Sequence, residues 1–193
     1  GIRDLVRSRG LGDVYKRQPR INSNMKHTPI EAGRALHNEQ SIKAGFFAAL
    51  VVLFLVNLTW VATSMFFDRF FPWISIIQGI ILGKSVRKYG YGIDWRLPLM
   101  SFFLALFASI SGSFISALFL TGREFNTGGL VLINEISWHT VSTFMLNEYG
   151  IVGCIYGIFS GVLAAFYSLR ELNRDEAIAY RKFKKTIIRE DRR

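Results

Sequence analysis

The sequence predicts an all-α protein, a four-helix transmembrane bundle with cytoplasmic termini. Three observations predict it. Charge is segregated: residues 44–169 hold 11 of the 38 Asp, Glu, Lys and Arg side chains, while the two flanks, 67 residues together, hold 27. The depleted middle divides into four long apolar runs, the pattern of a chain whose solvent is lipid. Lys and Arg also fall almost wholly on one side of those runs. The whole-chain figures, 193 residues, 50% hydrophobic and a net charge of +10, would alone suit a basic soluble domain. Their distribution excludes one.

Residues 1–18, GIRDLVRSRGLGDVYKRQ, lack an initiating Met and show neither a helical nor a strand-like apolar period. The string resembles the conceptual translation of a sequencing-library adapter, so residues 1–24 are expected to be artefact or disordered leader, outside fold reasoning. Met25 is a candidate start, with loss of upstream residues as the alternative, and 25–43 reads as a cytoplasmic N-terminal segment. Residues 1–20 carry six Lys or Arg and two Asp, and without them the net charge is +6. Arg3, Arg7 and Arg9 therefore give no ground for nucleic-acid binding, and none is expected.

The first apolar run, residues 44–67, has 24 residues and no charge. About 20 apolar residues cross a ~30 Å hydrocarbon core, so it reads as a span; it is too long for a signal peptide and has no cleavage site. The second, expected over 70–89, is the weakest signal, with only 14 uncharged residues before Lys84. Pro72 can open a helix at its first turn, where a missing N–H costs nothing. Lys84, Arg87 and Lys88 at its far end reach lipid headgroups by snorkelling, and a re-entrant segment is the competing reading. The third run, 97–121, and the fourth, 149–169, have 25 and 21 uncharged residues. Trp73 and Trp95 fall at expected membrane boundaries, where amphipathic rings are enriched.

Orientation follows from counting basic residues. With both ends and the 2–3 loop on one side, 22 Lys and Arg lie there, or 16 without residues 1–20, against Arg69 and Arg123 on the other. Positive charge accumulates in the cytoplasm, so both termini are expected there and the protein in a cell (inner) membrane as a multi-pass chain.

Helices in lipid associate through close packing and shared hydrogen bonds, which small residues permit. The fourth run carries Gly153, Gly157, Gly161 and Ala165 at four-residue steps, overlapped by a row of Gly150, Gly153, Gly157, Ser160, Ala164 and Ser168. The second carries Gly79 and Gly83, and the third Gly112 among Ala and Ser. These rows predict packing within one bundle, with a homo-oligomer or a membrane-protein partner as the alternative. Among strongly polar groups inside the runs, Asn57, Thr59 and Gln78 stand out. Asn57 lies about 15 Å from the outer end of its helix and Gln78 about 10 Å from the start of its own. The tight turn at Asp68 and Arg69 makes these helices antiparallel neighbours, so an interhelical amide pair is expected, with a polar substrate site as the competing reading. Asn57-Leu58-Thr59 matches a glycosylation sequon but lies inside a span, beyond a transferase.

Outside the membrane, residues 122–148 are expected to hold a turn at Asn126, Gly128 and Gly129 and a short surface helix over 135–147. Glu135 and His139 would sit one helical turn apart there, but no further ligand completes a metal set, and none is expected. Residues 170–193 form a basic cytoplasmic tail that reads as a helix extending the last span. Tyr180, Phe183 and Ile187 share one face, and Arg181, Lys182, Lys184 and Lys185 are placed to meet anionic headgroups of the bilayer.

The basic loop GKSVRKYGYGIDWR and the Gly-rich last run resemble small, uncharacterised four-span bacterial inner-membrane proteins. The resemblance implies a fold and transfers no catalytic residue. The single cysteine, Cys154, excludes a disulfide framework and a CxxC site. No HExxH, P-loop, paired intramembrane acids or Ser–His set appears, so no catalytic residue, cofactor or enzymatic activity is expected. A non-catalytic structural, accessory or assembly subunit is the expected role. A small oligomeric transporter or channel is the alternative, weakened by the absence of the membrane-embedded carboxylate on which ion-coupled carriers rely.

Overall fold

The computed structural model describes residues 28–190, whose regular structure is entirely helical. The artefact leader expected over 1–24 and the candidate start at Met25 lie outside the described residues. Helix α1 (Pro29–Glu39) opens with a capping box: Thr28 Oγ1 accepts from Glu31 N, and the Glu31 carboxylate accepts from Thr28 N at 2.9 Å. Helix α2 (Ile42–Phe67) follows after a two-residue break, its first turn capped by Ser41. It ends at Asp68 in the left-handed conformation (φ 51°), which reverses the chain. Helix α3 (Ile74–Gly90) starts four residues later than the expected 70. Pro72 stands ahead of the helix, its carbonyl accepting from Ser75 N and Ser75 Oγ. Helix α4 (Arg96–Glu124) is the longest, with 29 residues.

The segment that follows α4 is more broken than the single surface helix expected over 135–147. It contains α5 (Gly129–Leu132), a 3₁₀ turn (Ile133–Glu135), α6 (Trp138–Thr143) and a π-helical turn (Phe144–Tyr149). Ser137 caps α6 by accepting from Thr140 N at 3.2 Å, so Glu135 and His139 stand on separate elements. Gly150 (φ 49°, ψ −156°) closes the π turn, in backbone open in practice to glycine alone, and starts α7 (Gly150–Ser168). The tail does not extend α7. Leu169 turns extended and Arg170 N donates to Gly92 O at 2.8 Å, after which α8 (Arg174–Glu190) forms a separate helix.

Three helical stretches, Pro29–Phe67, Arg96–Glu124 and Trp138–Ser168, are long and apolar enough to cross a membrane. α3, with 17 residues and about 26 Å of length at ~1.5 Å per residue, is shorter. α3 and α4 touch along the middle of the bundle, and α2 and α7 flank that pair, each packing against both. The interior is built mostly of small residues, Ala49, Ala105, Ala108 and Ala164 among them, around Leu82, Val86 and Leu97. Bulky side chains face outward, including Phe47 and Phe54 on α2 and Ile151, Phe159 and Phe166 on α7. Small inside and large outside is the reverse of a water-soluble core and suits helices that pack closely in lipid.

α1 and α8 pack on each other at the end of the bundle where α3 stops and α4 begins. Gly33 of α1 makes that contact possible: a Cβ there would stand 2.6 Å from both the Ala179 carbonyl oxygen and Phe183 Cβ.

Candidate functional site

Inside the bundle a chain of amides and hydroxyls links three helices. Gln78 Nε2 of α3 donates to Asn57 Oδ1 of α2 at 2.7 Å, and Asn57 Nδ2 donates to Ser111 Oγ of α4 at 2.9 Å. Ser111 passes its own hydrogen to the Ala108 carbonyl at 3.2 Å. Gln78 is fully buried and Asn57 is 6% exposed, so these bonds form where unpaired polar groups would be costly. Gly112 leaves the space: a Cβ there would lie 2.7 Å from Asn57 Oδ1 and from the Trp60 ring. Thr59 turns back to bond the Leu55 carbonyl of its own helix. Ser111 carried no distinguishing mark among the many serines of its run. Its partnership with Asn57 depends on how α4 is rotated about its own axis.

The glycines of the small-residue rows meet neighbouring atoms of the same chain. Gly79 packs on Ser160, Gly83 on the Ala164 backbone, and Gly161 on the Phe102 ring. Gly153 lies against the Tyr149 ring, and Gly157 against Tyr149 and Leu106. Ala165 is half-buried, whereas Ala164 is fully buried against α3. Of the two overlapping rows on α7, the one through Ser160, Ala164 and Ser168 therefore faces inward.

At the α1–α8 end, the headgroup candidates divide in two. Arg87 pairs with Glu171 at 3.0 Å, Lys84 lies 5.5 Å from the centre of the Tyr167 ring, and Lys88 lies equally far from that of Tyr89. Arg181, Lys182, Lys184 and Lys185 are exposed on α8. Asp94, in the 91–95 turn, accepts the Tyr180 hydroxyl hydrogen and lies 3.6 Å from His37 Nδ1. Burial, then the hydrogen bond to Asp94 and the Asp94 charge, push the Tyr180 hydroxyl well above its ordinary value. Gln40 Oε1 accepts from Ile93 N and Asp94 N, and Arg170 bonds Glu39 at 3.0 Å. The sequence pattern places Tyr180 only on a helix face, and the bonds of Asp94 and Gln40 and the Arg170–Glu39 pair are not legible there, because each of them joins residues more than 50 positions apart.

The opposite end holds a cavity of about 580 Å³ lined by aromatic, aliphatic, hydroxyl and carboxylate side chains. A second, of about 540 Å³, shares its Phe70, Leu120, Thr121 and Glu124 walls. Among the described residues no three His, Cys, Asp or Glu side chains converge as a metal-ligand set. No family model, curated protein or solved structure matches the chain.

Proposed function

We propose that the chain is a four-span protein of a bacterial inner membrane, with both termini cytoplasmic, serving as a non-catalytic accessory or assembly subunit. The observation that carries this reading is what fills the space between the helices. Gly, Ala and Ser bring backbones together, and the buried Gln78–Asn57–Ser111 chain ends on a main-chain carbonyl. Within α2, α3 and α7 there is no Asp, Glu or His, and in α4 only the terminal Glu124. Such a core holds helices together and supplies neither a general base nor an ion-coupling carboxylate. α3 serves as the fourth span, its Lys84, Arg87 and Lys88 lying at the cytoplasmic boundary with the exposed basic face of α8. The distribution of 16 Lys and Arg against two supports that orientation.

A transporter or channel is the second reading, and one observation favours it. Trp60 Nε1, Ser64 Oγ, Gln78 Oε1, Ser116 Oγ and Ser160 Oγ are buried without a hydrogen-bond partner among the described residues. They place an unpaired polar atom on each of α2, α3, α4 and α7. Cross-linking in native membranes followed by quantitative mass spectrometry separates the two readings. A fixed-ratio complex with another membrane protein, lost with the chain's gene, is expected. Solute flux through proteoliposomes holding the chain alone would replace the accessory reading with the transport one.

A further inference from the structure

The cavity of about 580 Å³ at the end of the bundle opposite α1 and α8 is lined by two kinds of side chain. Phe70, Phe114, Leu118 and Phe144 are among the apolar and aromatic ones. Three carboxylates, Glu124, Glu135 and Glu148, also line it, and no Lys, Arg or His does. The Glu124, Glu135 and Glu148 carboxylates make no ion pair or hydrogen bond with another described residue. The nearby Arg123 is engaged elsewhere, its Nη1 donating to the Met65 carbonyl at 2.7 Å and lying 3.6 Å from Asp68. The cavity's own lining is therefore acidic and partly hydrophobic, while Asp68, Arg69 and Arg123 line the cavity that adjoins it at Phe70 and Glu124.

Its aromatic wall is braced in place. The Phe114 and Phe144 rings meet edge to face with centres 5.0 Å apart, and Phe144 leans on Tyr149 at 6.2 Å. Tyr149 in turn shares a hydrogen bond with Ser109 at 3.3 Å and lies against Gly153 and Gly157. Phe144, Glu148 and Tyr149 all belong to the π-helical turn. Such turns are rare, cost hydrogen-bond geometry and recur at functional sites. Gly153 and Gly157 thus seat the ring that supports Phe144, Gly157 while also packing on Leu106 of α4.

We propose that this cavity binds an amphiphilic organic cation, its charge taken by Glu124, Glu135 and Glu148 and its apolar body by Phe114, Phe144 and Leu118. Each alternative leaves part of this lining unused. A compact metal ion needs converging ligands, which these carboxylates do not supply. An uncharged apolar ligand gains nothing from the three carboxylates. A zwitterionic lipid headgroup brings a phosphate whose charge the carboxylates repel. A delocalised cation on a hydrophobic frame suits both kinds of side chain, and aromatic faces add their own attraction for positive charge.

The test is equilibrium binding of radiolabelled tetraphenylphosphonium to the full chain in phosphatidylcholine nanodiscs. Saturable binding at one site per chain is expected. It should weaken about tenfold or more in the E124Q/E135Q/E148Q variant and stay unchanged in E171Q, at the far end of the bundle. Uncharged tetraphenylsilane should not compete. These Glu side chains are exposed, so the triple variant is expected to fold, and its α-helical circular dichroism checks that it does. Absence of saturable binding to the native chain, or equal binding by a folded triple variant, overturns the proposal. Displacement by phosphatidylethanolamine added to the discs also overturns it, by making a lipid headgroup the occupant.

Discussion

The Tyr180 hydroxyl donates its hydrogen to Asp94, a residue 86 positions earlier in the turn between α3 and α4. With His37 on the other carboxylate oxygen and Gln40 holding the Ile93 and Asp94 N–H groups, Asp94 is where α1, α8 and the helical bundle meet. The basic tail is thus joined to the helical bundle by side-chain bonds as well as by the chain itself.

Removing that hydroxyl should loosen the end layer and leave the bundle intact. Y180F is expected to lower stability by about 1–2 kcal/mol, since it leaves a half-buried carboxylate short of a partner. Faster trypsin cleavage within α8, with unchanged cleavage of the 125–149 segment, is the measurement.

The same contact carries a pH signature. The folded chain holds the Tyr180 proton more tightly than the unfolded chain, in which a tyrosine titrates near about 10. Its contribution is complete below that pH and is lost progressively as the pH rises above it. The thermal midpoint of the native chain should therefore fall more steeply between about pH 9.5 and 11 than that of Y180F. Equal slopes would remove Tyr180 from the linkage.

The amide pair inside the bundle calls for a double-mutant cycle with N57L and Q78L. A coupling of about 1 kcal/mol is expected in detergent unfolding, the range measured for interhelical hydrogen bonds in membranes. Each single variant strands its partner in the core, so the double variant should cost less than the two singles summed.

Gly83 faces main-chain atoms, 2.5 Å from the Ala164 carbonyl oxygen and 2.9 Å from its Cα once a Cβ is added. Backbone cannot step aside as a side chain can. G83A should destabilise the bundle by about 1–3 kcal/mol, the usual cost of overpacking. A165V, at a half-buried position one residue off the inward row, should cost less in the same unfolding assay.

Orientation is tested with reporters. An alkaline phosphatase fusion after Arg193 should be inactive and one after Thr127 active. The reverse pattern would invert the proposed topology.

Much of the helical content was legible because long uncharged apolar runs leave a chain few structures besides the helix. The 24 uncharged residues of 44–67 lie inside α2, and the added first turn belongs to Ser41, a cap too common to mark a boundary by itself. Where packing decided the outcome, the pattern was ambiguous. Two small-residue rows overlap on α7, and only contact with α3 selects Ala164 over Ala165. The separation of α8 from α7 was hidden because an amphipathic, basic segment suits either a helix extension or a free helix. Its pairing with α1 depends on Gly33, a glycine inside a helix that propensity alone reads as a flaw. The π turn was equally hidden, since the Phe114 and Ser109 contacts that hold it come from α4 residues 30 and 40 positions earlier.

The enclosure of α3 by its three neighbours bears on the order of synthesis. Gly79 and Gly83 rest on Ser160 and Ala164 of α7, which leaves the ribosome only after 66 further residues have been added beyond Gly83. Until then α3 has α2, and later α4, beside it, while its glycine edge lacks its permanent neighbour. The helix with the least apolar length thus waits, as α4 does, for α7 to complete its surroundings. Anything that holds α2 and α3 together as a hairpin would protect it in that interval, and slow synthesis of residues 84–150 would prolong the exposure.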